Sequence, residues 1–373
     1  MTNMMPTVSL DTTSLLTAIP GLLGFLPEQS LVVVAFDAGA SVAVTARHDL
    51  LLDADGEPTE QMRATMADIG QVCERAAVLA TAVAIADDRF GLASPVYRQV
   101  CAEMDRALVR AGVPGGVRAG FVLERFAAGA PWYTAWWALE GLGPAGCDPA
   151  VPQAIGLDDG GFGCGLLGDP QASPVALERS LRTGRVVMAS RNDVAASLAP
   201  IGHCTDDACG GRSRRVRRRE PATGDETLLR AAVTLLTGDQ MPEMTCANVE
   251  LLSRAVVSLG VRDALLALGG TEHRFVVEGV WRDLVRRTRA ETRASAATML
   301  AHLYYLGGEG AYAGVALDAA LLACPTWRLA VLLNTALVGG VHPTMLWEVL
   351  ADSYSVAAGL GVSLPPLSRN RYP

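Results

Sequence analysis

The chain has 373 residues, half of them apolar and 19% charged, with a formal net charge of −8, a composition that excludes a disordered protein and fits two domains better than one. All 31 basic residues are arginine, because no lysine occurs anywhere. That excludes phosphate-loop, Schiff-base and kinase-strand lysines and every lysine-type base.

Met1 to Leu16 has no basic n-region and meets Asp11 before any apolar run of signal length, so a secretory leader is not expected. Asp11 then opens a short helix, Thr12 to Ile19, that Pro20 should stop. Leu31 to Phe36 reads as a buried strand and Ser41 to Leu50 as its hairpin partner. Pro58 opens a helix whose Met62, Met66, Ile69 and Cys73 form an inward stripe. Val78 to Ile85 is a central strand. Ser94-Pro95 caps a second helix with Tyr97, Cys101, Met104 and Leu108 inward. Val117 to Phe126 and Trp132 to Glu140 complete a ββαβαββ order, which implies a mixed sheet covered by helices.

Gly141 to Pro170 is a long Gly-, Pro- and Asp-rich connection. Two short helices, Pro174 to Arg182 and Asn192 to Leu198, follow it. Segment His203 to Pro221 has almost no apolar residues and carries six arginines, which marks a linker. Beyond it every periodic segment is helical: Asp225 to Thr237, Thr245 to Leu259, Val261 to Leu268, Glu272 to Arg287, Ala294 to Leu306, Gly310 to Ala323, Thr326 to Val338 and Pro343 to Ala358. The spacing of Leu300, Ala301, Tyr304, Ala313, Leu317, Ala320 and Pro325 matches one tetratricopeptide-type hairpin, with no second unit in register. The expected fold is therefore α/β plus all-α: an N-terminal mixed β-sheet with covering helices (1–200), an Arg-rich linker (201–221) and a C-terminal α-helical bundle (222–373). The longest apolar runs, Ala76 to Ala86 and Leu329 to Val341, fall short of a membrane span and suit buried strands or helices. Eight scattered cysteines read as reduced thiols of a cytoplasmic protein.

No catalytic motif stands out, and no cofactor is required by the sequence. Gly163 to Gly168 satisfies G-x-G-x-x-G, yet no strand precedes it and Asp169-Pro170 blocks the helix that should follow, so a flexible Gly-rich loop is expected. Asp53-Ala54-Asp55-Gly56 lacks the closing glutamate of a calcium loop. His203, Cys204 and Cys209 could hold zinc if Cys147 or Cys164 supplied a fourth ligand, but the C-x₄-C spacing is loose and incidental thiols are the plainer reading. Ligand-binding candidates at strand ends are Arg47, Asp49, Asp87 and Asp88, with Ser190 and Arg191 in a polar cluster whose plainer role is to cap a helix. Arg47 and Asp49 share a strand face and could form a salt bridge. Nucleic-acid candidates are Arg212, Arg214, Arg215, Arg217, Arg218 and Arg219, together with Arg282, Arg286, Arg289 and Arg293, which would share one helix face. Against that stand the net acidity and the absence of interleaved aromatics.

Several strings together resemble the actinobacterial domain of unknown function 4192 family: Pro20, Leu22-Leu23-Gly24-Phe25, Pro27, Ser30 and Leu31 to Val34, then Arg47 to Leu50, Ser190 to Asp193, Val261 to Ala264, Trp281 and the Gly308 to Pro325 hairpin. The family's Cys-Cys-Pro string is reduced here to Cys147-Asp148-Pro149. The resemblance implies lineage and a cytoplasmic location, and transfers no activity. The sequence thus points to a non-catalytic interaction or small-ligand-binding protein with an unidentified protein partner and no membrane association. A nucleic-acid-associated protein acting through the Arg-rich segment is the alternative, and an enzyme of unidentified class a further one.

Overall fold

A computed structural model describes residues 11–137, 163–206, 209 and 224–368, which form two compact units, Met1–Arg191 and Asn192–Pro373. The first unit is built on a six-stranded mixed sheet in the order β2-β1-β3-β4-β5-β6. Its strands are β1 (Ser30–Phe36), β2 (Val42–Asp49), β3 (Ala80–Ala86), β4 (Val117–Leu123), β5 (Pro131–Trp137) and β6 (Cys164–Leu166). Among the described strands only β3 and β4, joined through a helix, run parallel; the other neighbours are antiparallel, as hairpin and crossover connections require.

Helix α1 is Thr12–Leu23, α2 is Glu60–Arg75 and α3 is Pro95–Ala111. The expected stripes are the buried ones: Met62, Met66, Ile69 and Cys73 on α2, and Tyr97, Cys101, Met104 and Leu108 on α3. They pack in one core with Leu31, Val33 and Ala35 of β1 and with Val83 and Ile85 of β3. The intervening residues Val32, Val34 and Ala84 are buried as well, so the sheet is covered on both faces and its central strands read as continuous apolar runs. Ser94 caps α3 with Pro95 in the first turn, and Gly112 closes it in the left-handed conformation, as these residue types favour.

Two local features differ from what the sequence pattern predicts. Pro20 does not stop α1, which continues to Leu23 with Pro20 inside it. A proline removes one helical hydrogen bond, and here a nearly continuous run of buried side chains, Leu15 to Gly21 and Leu23, outweighs that loss. The Gly163 to Gly168 string is no flexible loop, because Cys164–Leu166 pairs with β5 as an edge strand. Its Gly165 is required by packing: a Cβ there would stand 2.8 Å from the Trp132 ring.

After β6 come α4 (Pro174–Thr183) and α5 (Arg191–Ala196). The second unit, which begins within α5, continues with α6 (Asp225–Leu236), α7 (Cys246–Val257), α8 (Leu259–Leu265), a 3₁₀ turn (Leu266–Gly270), α9 (Arg274–Arg287), α10 (Ala290–Leu306), α11 (Gly310–Ala323), α12 (Arg328–Val338) and α13 (Pro343–Gly359). All eight expected helices are present. Helix α10 is buried on every side from Ala294 to Leu306, so it forms the axis of the bundle, and α11 returns along it with the Tyr304 and Tyr312 rings edge to face at 5.5 Å. Residues 201–206, read as the start of a linker, are bonded into this unit: Ile201 N–H donates to Arg286 O and Thr205 N–H to Met244 O. Among the described residues no helix is long and apolar enough to cross a membrane.

Candidate functional site

The strand-end candidates gather at one end of the sheet, around the start of the interior strand β1. Ser30 pairs with Asp49 on one side and with Ala86 on the other, which brings Arg47, Asp49 and Asp87 around the start of β1. Arg47 spreads its guanidinium over three internal acceptors. Its Nη1 meets Asp49 at 2.7 Å, its Nε donates to Ser30 Oγ at 2.8 Å and its Nη2 to Glu28 O at 3.3 Å. Burial pulls its pKa below the ordinary value, the Asp49 carboxylate opposes this, and nearby Arg191 adds to the lowering. Asp87 is fully buried and also committed: Arg89 Nε lies 2.8 Å from Oδ1 and the Tyr97 hydroxyl 3.2 Å from Oδ2. Burial, and after it the Asp87 charge, push the Tyr97 hydroxyl pKa up. Arg89 reaches further, to Leu50 O at 3.0 Å, so this cluster ties three chain segments together. Asp88 is exposed. Ser190 immediately precedes α5, whose first residue is Arg191, the capping position expected of it. The acidic segment closes on itself, since Asp53 Oδ1 accepts from the backbone N–H of Asp55 and Glu57.

The second arginine stripe is not one helix face. Helix α9 ends at Arg287 and α10 begins at Ala290, with Ala290 in the left-handed region (φ 47°). The break places the four arginines in different surroundings. Arg282 pairs with Glu278 and Arg286 with Asp283. Arg293 turns back to the carbonyls of Val285 (2.6 Å) and Leu198 (3.0 Å), and burial lowers its pKa. Arg289 precedes α10 as its N-cap residue without a side-chain cap bond. Arg212, Arg214, Arg215, Arg217, Arg218 and Arg219 lie outside the described residues, as does Cys147.

Sulfur and imidazole ligands come together elsewhere. His203, Cys204, Cys209 and Cys246 place their donor atoms within 4.8 Å of one another. The fourth member is Cys246; Cys164 is instead buried in the first unit's sheet opposite Tyr133. Cys246 opens α7 behind the Thr245 cap, where the helix dipole favours a thiolate. Its Sγ lies 3.0 Å from that of Cys204 and 3.1 Å from that of Cys209. His203 Nδ1 is 3.6 Å from Cys209 Sγ and 3.9 Å from Cys246 Sγ. Asp206 Oδ2 accepts the Cys246 backbone N–H at 2.7 Å, and with the Thr205–Met244 bond it fixes the two segments that carry the donors. The contact with Cys246, reinforced by His203, draws the Cys204 thiol down to about 7, while the same contact pushes Cys246 up. The sequence showed His203, Cys204 and Cys209; Cys246 lies 37 residues beyond Cys209, too far for a local ligand spacing.

A fourth feature is apolar. Helix α12 buries a single residue, Ala330, although Leu329 to Val341 reads as a buried run. Leu332 is 66% exposed, with Leu322, Val331, Val338, Val341, Met345 and Val349 also exposed on α11 to α13 and the connection before α13. The reason is placement at the flank of the bundle, where α10 and α11 cover one side of α12 and no described residue buries the remainder. From residue 319 to 347 the only charged side chain is Arg328.

A family model described as "Domain of unknown function (DUF4192)" matches residues 13–344. No curated protein and no solved structure matches the chain.

Proposed function

We propose that this chain, which belongs to the DUF4192 family, is a non-catalytic binding protein whose helical unit docks a protein partner. The observation that carries the reading is α12: a helix of eleven residues with one buried side chain, flanked by a charge-poor surface bearing Leu322, Leu332, Val338 and Met345. Large exposed apolar surfaces mark interaction sites, and burying a single leucine or valine there would contribute about 1.5–3 kcal/mol. The near absence of charge selects an apolar partner surface, since an ionic one would lose its solvation without compensation. The strand-end polar groups support the non-catalytic side of the reading, because Arg47 and Asp87 are spent on internal bonds. A cytosolic location goes with it, as thiols that stay unpaired suit a reducing compartment and the seven described cysteines are all free.

The test compares the wild type with a Leu332→Asp, Val338→Asp double variant by light scattering and by co-purification with and without nuclease. The expected result is a discrete protein complex that survives nuclease and is lost in the variant. A monomer that retains no protein, or a complex indifferent to both substitutions, overturns the reading.

A further inference from the structure

We propose that His203, Cys204, Cys209 and Cys246 form a structural zinc site that staples residues 203–206 and Cys209 to the N-terminus of α7. The donor set is three thiols and one imidazole, the soft and borderline combination that selects zinc in tetrahedral protein sites. With zinc–sulfur bonds near 2.3 Å and zinc–nitrogen bonds near 2.0 Å, tetrahedral coordination separates sulfur pairs by about 3.8 Å and sulfur–nitrogen pairs by about 3.5 Å. The 3.6 and 3.9 Å sulfur–nitrogen separations already fit, and the sulfur pairs at 3.0 and 3.1 Å need to spread by about 0.7–0.8 Å to reach tetrahedral spacing. All four positions are filled by side chains, so no position stays open for water or substrate, which makes the role structural and not catalytic.

Around the donors the polypeptide is already arranged for the ion. The segment carrying His203 and Cys204 has no helix or strand of its own, yet it is held to α7 by the Thr205–Met244 and Asp206–Cys246 bonds. Asp206 thereby acts as a positioning residue, fixing the backbone from which Cys246 projects. Binding proceeds with the three thiol protons released to solvent and His203 ligating through Nδ1, its remaining ring proton on Nε2. The ion and three thiolates then carry a net charge of −1, which the positive end of the α7 dipole favours.

The full chain, expressed with zinc supplied and purified without chelator, is assayed for metal by elemental analysis. The expected result is stoichiometric zinc in the wild type, loss to background in Cys246→Ser and Cys209→Ser, and retention in Cys324→Ser, whose thiol lies outside the cluster. Should the serine variants fail to fold, titration of the zinc-stripped wild type with cobalt(II) decides the matter. Tetrahedral d–d absorption with a thiolate-to-cobalt charge-transfer band supports the site. Wild-type protein with background zinc and no such band, or with a disulfide between any two of these cysteines in its intact mass, overturns it.

Discussion

The buried Asp87 carboxylate accepts from Arg89 Nε at 2.8 Å and from the Tyr97 hydroxyl at 3.2 Å, one partner on each oxygen. The residue thus holds the loop after β3 against the start of α3, and Arg89 carries the tie on to Leu50 O. Asp87→Ala leaves the arginine without its carboxylate and removes charge-assisted bonds from a buried site, a loss of about 2 kcal/mol. Urea unfolding should show a lower midpoint at unchanged slope. An unaltered midpoint would mean that the cluster carries no stability and that its burial serves something else.

Arg293 sits where α9 ends and α10 begins, and donates to carbonyls on both the helix end and the incoming segment. Arg293→Ala should cost about 1–3 kcal/mol by leaving those acceptors unpaired. Arg289→Ala, at a cap position with no side-chain cap bond, should shift stability by no more than about 0.5 kcal/mol. Thermal denaturation of the two variants side by side checks the contrast, and equal losses would contradict it.

His302 is buried in α10, and burial lowers its pKa to about 4. In the unfolded chain it titrates near 6.5, so between these values the unfolded state binds the extra proton and the native state does not. Stability from this group is complete above about pH 6.5 and is lost as pH falls toward 4, roughly 3 kcal/mol in all. His302→Gln should flatten that part of the profile: chemical denaturation at about pH 7 and about pH 5 should differ by about 2 kcal/mol less in the variant than in the wild type. Parallel pH dependence of the two proteins would contradict the assignment.

The sheet and the helices of both units were legible because their periodicities are strong. The stripe Met62, Met66, Ile69 and Cys73 has no other use than a helix face, and Ser94-Pro95 followed by Gly112 brackets α3 with standard caps. What the sequence hid depends on tertiary context. Strand β6 has three residues in a glycine-rich string and pairs with β5, where Gly165 leaves room for the Trp132 ring; local composition does not encode that pairing. Helix α12 has the composition of a core element, and its exposure follows from its position at the flank of the bundle, which no local pattern encodes. The break at Ala290 splits an arginine series that has perfect helical spacing on paper. Of the four cysteine and histidine donors, three stand close in sequence and Cys246 joins them only through the fold.

The α12 face is proposed as a protein-docking surface. A photo-crosslinking residue placed at position 332 in the full chain, expressed in its native cells, is the direct probe, with position 239 on the exposed turn after α6 as the control. One discrete protein adduct is expected from position 332, persisting after nuclease digestion and absent from position 239. No adduct from position 332, or the same adducts from both positions, would contradict it.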